Sequence, residues 1–193
     1  MYKIKRFSWF GSRANKFTPD ISELDNLGSS VNYNNNKFFQ GLAKMYPQLS
    51  FLPKLSKIQD DLLSFTMTMD DYGIWKDLQF LDLYDVNDLL DATEDIRQKF
   101  MTDDYIALMF SMGDDVIYDI RSRRFGLVEY GKNKIRKSFN SYKDLFKYQL
   151  DAITEAVNYE LSGNSLSMDE YDPETVNIVT KSLDKVTKLV NSI

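Results

Sequence analysis

Aspartate supplies the densest reactive pattern in this chain, occurring as neighbouring pairs at Asp60-Asp61, Asp70-Asp71, Asp103-Asp104 and Asp114-Asp115. Adjacent carboxylates can hold Mg²⁺ or Ca²⁺ through hard oxygen ligands, and two with divergent pKa values can divide an acid step from a base step. Chain neighbours on a strand point to opposite faces, however, and aspartate is favoured at helix flanks and turns because its side chain bonds to nearby backbone. The pairs therefore read as solvated turns and caps. A second arrangement, Asp119 with Glu129 and Lys132 on neighbouring strands, has the ingredients of a metal-dependent nuclease. Its spacing does not meet that pattern, since Glu129-Tyr130-Gly131-Lys132 puts the lysine on the opposite strand face.

The chain has no cysteine and no histidine. Disulfides, thiolate metal sites, the commonest metal ligand and the commonest general base are thereby removed, and with them every triad of Ser-His-Asp or Cys-His type. No Gly-rich phosphate loop is present. No catalytic, cofactor-binding or metal-binding residue is assigned, and the reading is non-enzymatic.

The elements that would position any site are clearest between Asp104 and Leu150. Tyr105 to Phe110 is a continuous apolar run of strand length, Gly113-Asp114-Asp115 a natural turn, and Val116 to Ile120 a β-branched and aromatic segment. Arg121 to Arg124 forms a polar break, and Phe125 to Tyr130 a third strand closed by Gly131. An antiparallel meander follows. The next segment opens a helix at Asn140 or Ser141, keeps Leu145, Phe146, Leu150, Ile153, Val157 and Leu161 mostly on one face, and stops at Ser162-Gly163-Asn164. Upstream, Lys37 to Tyr46, Pro53 to Phe65 and Val86 to Phe100 read as helices, while Trp75 to Tyr84 suits either strand or helix.

In chain order, Leu52-Pro53 with Leu62-Leu63-Ser64-Phe65, then Phe80 to Leu90, then Gly113-Asp114-Asp115-Val116-Ile117-Tyr118-Asp119, then Ser138-Phe139 with Leu145-Phe146, compose a recognisable series. Over roughly residues 37 to 160 it resembles the SUKH superfamily, also called the SMI1/KNR4 family. The usual Asn-Gly-Gly element after the first helix is missing; Met69-Asp70-Asp71-Tyr72-Gly73 stands in its place with one glycine. The resemblance implies an α+β domain that binds another protein, commonly an immunity protein neutralising a secreted or contact-delivered toxin that is often a nuclease. It supplies no catalytic residues.

At 193 residues, with 43% hydrophobic and 14% aromatic content, the chain is long and apolar enough for one folded core. The expectation is an α+β fold, an antiparallel sheet of about four to six strands packed against helices, with a C-terminal amphipathic helix. Three stretches are expected: a basic, aromatic arm over 1–36, the SUKH-like domain over 37–163 and a helical extension over 164–193. The arm carries Lys3, Lys5, Arg6, Arg13 and Lys16 interleaved with Phe7, Trp9, Phe10 and Phe17, then a polar spacer from Asn32 to Asn36. It either packs on the domain or contacts a partner. In the extension, Asp172 is a good N-cap, Pro173 suits the first helical position, and Val176, Val179, Leu183, Val186, Val190 and Ile193 form a heptad seam. That seam packs on its own domain or joins a second copy as a homo-oligomer.

No run approaches the roughly 20 apolar residues of a membrane span, and the N-terminus lacks an apolar signal region, so a cytoplasmic location without membrane contact is expected. The net charge of −5 argues against nucleic-acid binding and suits a basic protein partner such as a nuclease toxin. The candidate partner-binding residues are Asp70, Asp71, Tyr72, Asp114 and Asp115, expected in loops flanking the sheet, where carboxylates supply charge and tyrosine supplies contact area at low entropic cost. The competing expectation is an assembly subunit of a phage or other multimeric particle, joined through its two ends.

Overall fold

The computed structural model describes residues 18–74, 79–129, 132–162 and 171–193. The basic part of the arm, Trp75, Tyr130, Gly131 and the Gly163-Asn164 helix stop lie outside the described residues. The helices are α1 (Ser22–Ser30), α2 (Asn35–Met45), α3 (Leu52–Leu55), α4 (Gln59–Asp71), α5 (Val86–Phe100), α6 (Tyr142–Leu161) and α7 (Pro173–Asn191). The strands are β1 (Asp82–Leu83), β2 (Tyr105–Ser111), β3 (Asp114–Asp119), β4 (Arg124–Glu129) and β5 (Ile135–Phe139). They form one antiparallel sheet in the order β1-β2-β3-β4-β5, so the fold is α+β.

Alternation along the strands sets the two faces. Val116 and Tyr118 with Phe125 and Leu127 turn into the main core, whereas Ile117 and Val128 turn into a smaller cluster with Ala92 and Ile96 of α5. Phe51 ties the sheet to the helical layer: its ring lies 5.8 Å from Phe125, stacks 4.7 Å from Tyr142 and meets Phe146 edge-on at 5.3 Å. Three such contacts at about 0.5–1.5 kcal/mol each add to the apolar burial.

Helix α5 starts at Asp85, whose side chain accepts from the Asp88 amide at 2.9 Å, and ends at Met101 in the left-handed region. It also closes a sheet edge. Because β1 pairs only with Phe110 and Met109 of β2, the backbone beyond is met by the Tyr84 amide, which donates to the Leu108 carbonyl at 3.2 Å, and by α5 side chains: the Ala107 amide donates to Thr93 Oγ1 at 3.1 Å, and Arg97 Nε donates to the Tyr105 carbonyl at 2.7 Å. The Arg97 guanidinium further donates to the Asp20 carbonyl, fixing the incoming chain. Buried strand groups are thus satisfied without another strand.

Two element boundaries differ from the sequence reading, and two alternatives it left open are decided. Asn34 caps α2 by accepting from the Lys37 amide at 3.1 Å, so Asn35 and Asn36 are helical rather than spacer. Leu24 of α1 lies in the main core, so the described residues before 37 belong to the domain. The Pro53–Phe65 segment is two helices separated by a 3-10 turn, which lets Gln59 donate to the Leu81 carbonyl at 3.1 Å and accept from the Leu83 amide at 3.0 Å. Finally, Val179, Leu183, Val186 and Val190 of α7 are buried in the main core, so the heptad seam is filled within the chain and not left for a second copy. The Asp172 cap forms as expected, its carboxylate accepting from the Glu174 and Thr175 amides, both at 2.9 Å.

Candidate partner-binding face

Helix α4 buries Leu62, Phe65 and Met69 and turns Asp60, Leu63, Ser64, Met67, Asp70 and Asp71 to solvent. Leu63 and Met67 stand four residues apart with relative exposures of 59% and 57%. On a helix that spacing places them side by side, so they make one apolar patch with Asp60 a turn before and Asp70-Asp71 a turn after. Asp61 points elsewhere and pairs with Lys185 of α7 at 2.6 Å, fastening the two helices.

Asp70 and Asp71 occupy the last turn of α4, where the helix dipole disfavours negative charge, and no basic residue shares that turn. Neither has an ion pair among the described residues. The helix closes just after them in a Schellman motif: the Gly73 amide donates to the Asp70 carbonyl at 2.9 Å and the Ile74 amide to the Met69 carbonyl at 3.0 Å. Gly73 sits at φ 66, a conformation that costs a side-chain-bearing residue energy, and Ile74 and Met69 are both buried as the motif's apolar contact. Tyr72 is half-buried against the main core.

Ile74 also forms one wall of an open groove of about 400 Å³ whose other wall is α6, through Ala152, Glu155, Ala156, Tyr159 and Glu160. Tyr159 is 55% exposed. The acidic end of α4 is therefore followed by a groove lined by an isoleucine, two alanines, two glutamates and a tyrosine. Such a surface offers a basic partner charge at the periphery and apolar area at the centre.

The remaining candidates are placed differently. Asp114 and Asp115 belong to β3, not to a loop, because Met112 and Gly113 at φ 51 and 87 make the two-residue hairpin turn by themselves. Both are buried. Asp115 accepts from the Tyr84 hydroxyl, and Asp114 pairs with Arg136 across the sheet. Burial pushes the Asp114 carboxyl above its ordinary range, and Arg136 draws it only part of the way back. Asp114 pairs in register with Ser111, which accepts from the Leu81 amide, and Leu81 is in turn held by Gln59 at the start of α4, whereas Asp70 and Asp71 occupy the last turn of that helix. The five residues thus separate into a surface group, Asp70, Asp71 and Tyr72, and an interior pair.

Asp119 and Glu129 do not converge either, since the register sets Asp119 against Arg124 and Glu129 against Asp114 at opposite ends of the hairpin. The Asp119 carboxylate is taken by the β3–β4 turn, accepting from the Arg121 and Ser122 amides at 2.9 Å and from Ser122 Oγ at 2.7 Å. Glu129 pairs with Lys132. Tyr118 of β3 is buried and donates to Gln48 Oε1 at 3.1 Å. Among the described residues, no helix is long and apolar enough to cross a membrane.

Leu63, Met67 and the α6 groove escaped the sequence reading. Leu62-Leu63 reads as core at helical spacing, and the adjacent helical pairs Phe38-Phe39, Leu89-Leu90 and Leu145-Phe146 are buried at both positions, so nothing in the sequence marks Leu63 as the one that faces outward. No protein-family model, curated protein or solved structure matches this chain.

Proposed function

We propose that this chain is a non-enzymatic, cytoplasmic binding protein that neutralises a basic protein partner, in the manner of the SUKH immunity proteins it resembles. The partner, a toxin and in particular a nuclease, is held by the outer face of α4 and the adjoining α6 groove. One observation carries the reading: Leu63 and Met67 are more than half exposed at the centre of a stripe whose ends are carboxylates. Two large apolar residues side by side between carboxylates form an exposed patch of the kind that contacts a partner, and aspartates in the last turn weaken the helix that bears them. Met and Leu adapt to an irregular partner surface, and the carboxylates occupy the phosphate-binding cations that a nuclease presents.

The test pairs the purified protein with the toxin encoded by the neighbouring gene. A stoichiometric complex that blocks the toxin, weakened at least about tenfold by Leu63→Ser with Met67→Ser, supports the reading. Absence of a complex, or one indifferent to the α4 changes, removes it.

A further inference from the structure

The two edges of the sheet carry opposite charge. Residues 121–147 hold nine basic and two acidic side chains. The topology gathers them along the β5 flank: the β3–β4 turn at one end, Lys134 at the other, and Lys143 where α6 departs. Three of the nine are ion-paired, to Glu129, Asp114 and Asp151, and Lys137 lies 3.7 Å from the centre of the Tyr148 ring. Arg121, Arg123, Arg124, Lys134 and Lys143 are exposed and have no ion pair among the described residues.

The opposite edge is closed by α5, which has no basic residue between Val86 and Ile96 and exposes Asp88, Asp91, Glu94 and Asp95. Residues 1–17 hold five basic and no acidic side chains, so the remainder of a chain with net charge −5 carries −10. The β5 flank is thus a positive strip on an otherwise acidic body.

We propose that the basic β5 flank of one copy takes the acidic outer face of α5 of a second copy. Charge complementarity selects this occupant, because the chain itself supplies the matching surface at the far edge of the same sheet. A nucleic acid fits less well: the flank's aromatics are not free for stacking, Phe139 being buried and Tyr148 lying under Lys137, and the rest of the body repels phosphate. Lysines on an edge strand also resist the addition of a peptide strand, which leaves a side-chain-mediated contact. Since the two surfaces differ, the contact is heterologous and continues beyond two copies. It uses neither α4 nor the α6 groove and stands apart from the function proposed above.

Light scattering across a concentration series at about 30 mM and about 500 mM salt reads the contact directly. The expected result is a mass rising above the 22.6 kDa of one chain at low salt and returning to it at high salt. Two variants at exposed positions, Arg124→Ser/Lys134→Ser/Lys143→Ser and Asp91→Asn/Glu94→Gln/Asp95→Asn, should each stay monomeric. Mixed in equal amounts, they should stop at a two-chain complex, because each keeps the surface the other lacks. A wild type that is monomeric at every concentration and salt, or variants that associate like wild type, overturns the proposal. So does a flank that captures a single-stranded oligonucleotide in a chain that does not self-associate, which assigns the strip to a polyanion.

Discussion

Asp114 shows how one residue type takes opposite roles in this chain. Its side chain is 4% exposed, and burial raises its carboxyl above the ordinary value of 3.8 despite the Arg136 partner. A carboxyl whose folded pKa is raised contributes stability below its unfolded value and loses it as pH rises through the folded value. Asp114→Asn removes that penalty, so its stability relative to wild type should climb from near equality in acid to an advantage at neutral pH. Urea unfolding at both ends of that range measures it, and an advantage confined to acid would reverse the assignment. Arg136→Ala leaves the buried charge without its partner. The expected cost is about 2 kcal/mol, below the figure for fully buried pairs because Arg136 is itself half exposed. In the sequence, Gly113-Asp114-Asp115 read as a turn because all three residue types favour turns. The structure needs only Met112 and Gly113, a distinction that depends on strand register and not on composition.

Helix α4 carries its conflict at the level of the element. Two aspartates in its last turn oppose the dipole, so Asp70→Asn with Asp71→Asn should stabilise the protein by about 0.3–1 kcal/mol per charge while weakening capture of a basic partner. Thermal unfolding and a binding titration on the same variant read both. A loss in stability would show that the carboxylates serve the fold. Gly73 is the complementary case: nothing lies within 4 Å of where a Cβ would sit, so Gly73→Ala costs only the left-handed conformation, about 1 kcal/mol. What made elements legible was continuous burial. β2, β3 and β4 are runs of mostly buried residues and are readable as strands, whereas β5 buries only Phe139 among mostly exposed, charged neighbours and carries no apolar run to mark it. The same logic hid the exposed pair Leu63 and Met67, because an exposed leucine at helical spacing is indistinguishable in sequence from a buried one.

At the scale of the whole molecule, the question is whether α7 is an appendage or part of the core. Its heptad seam allowed both readings from sequence, since a seam states that a partner surface exists without saying where. The structure places Val179, Leu183, Val186 and Val190 in the main cluster, each at most 7% exposed, and adds the Lys185–Asp61 pair to α4. Burying such aliphatic side chains contributes roughly 1.5–3 kcal/mol apiece, so losing four of them is comparable with the net margin of about 5–15 kcal/mol by which a folded domain is favoured. Removing α7 would also expose the α4 and α6 surfaces it covers. A chain ending at Ser162 is therefore expected to lose cooperative unfolding and near-ultraviolet circular dichroism, to keep much of its helical signal and to bind a hydrophobic dye. A truncated chain that unfolds in urea with the wild-type midpoint would instead make α7 an extension on a self-sufficient domain. The distinction reaches the proposed function, since Asp61 pairs with α7 on the same helix that turns Leu63 and Met67 outward. If α7 holds α4 in place, its loss should abolish partner capture without touching a residue of the binding face.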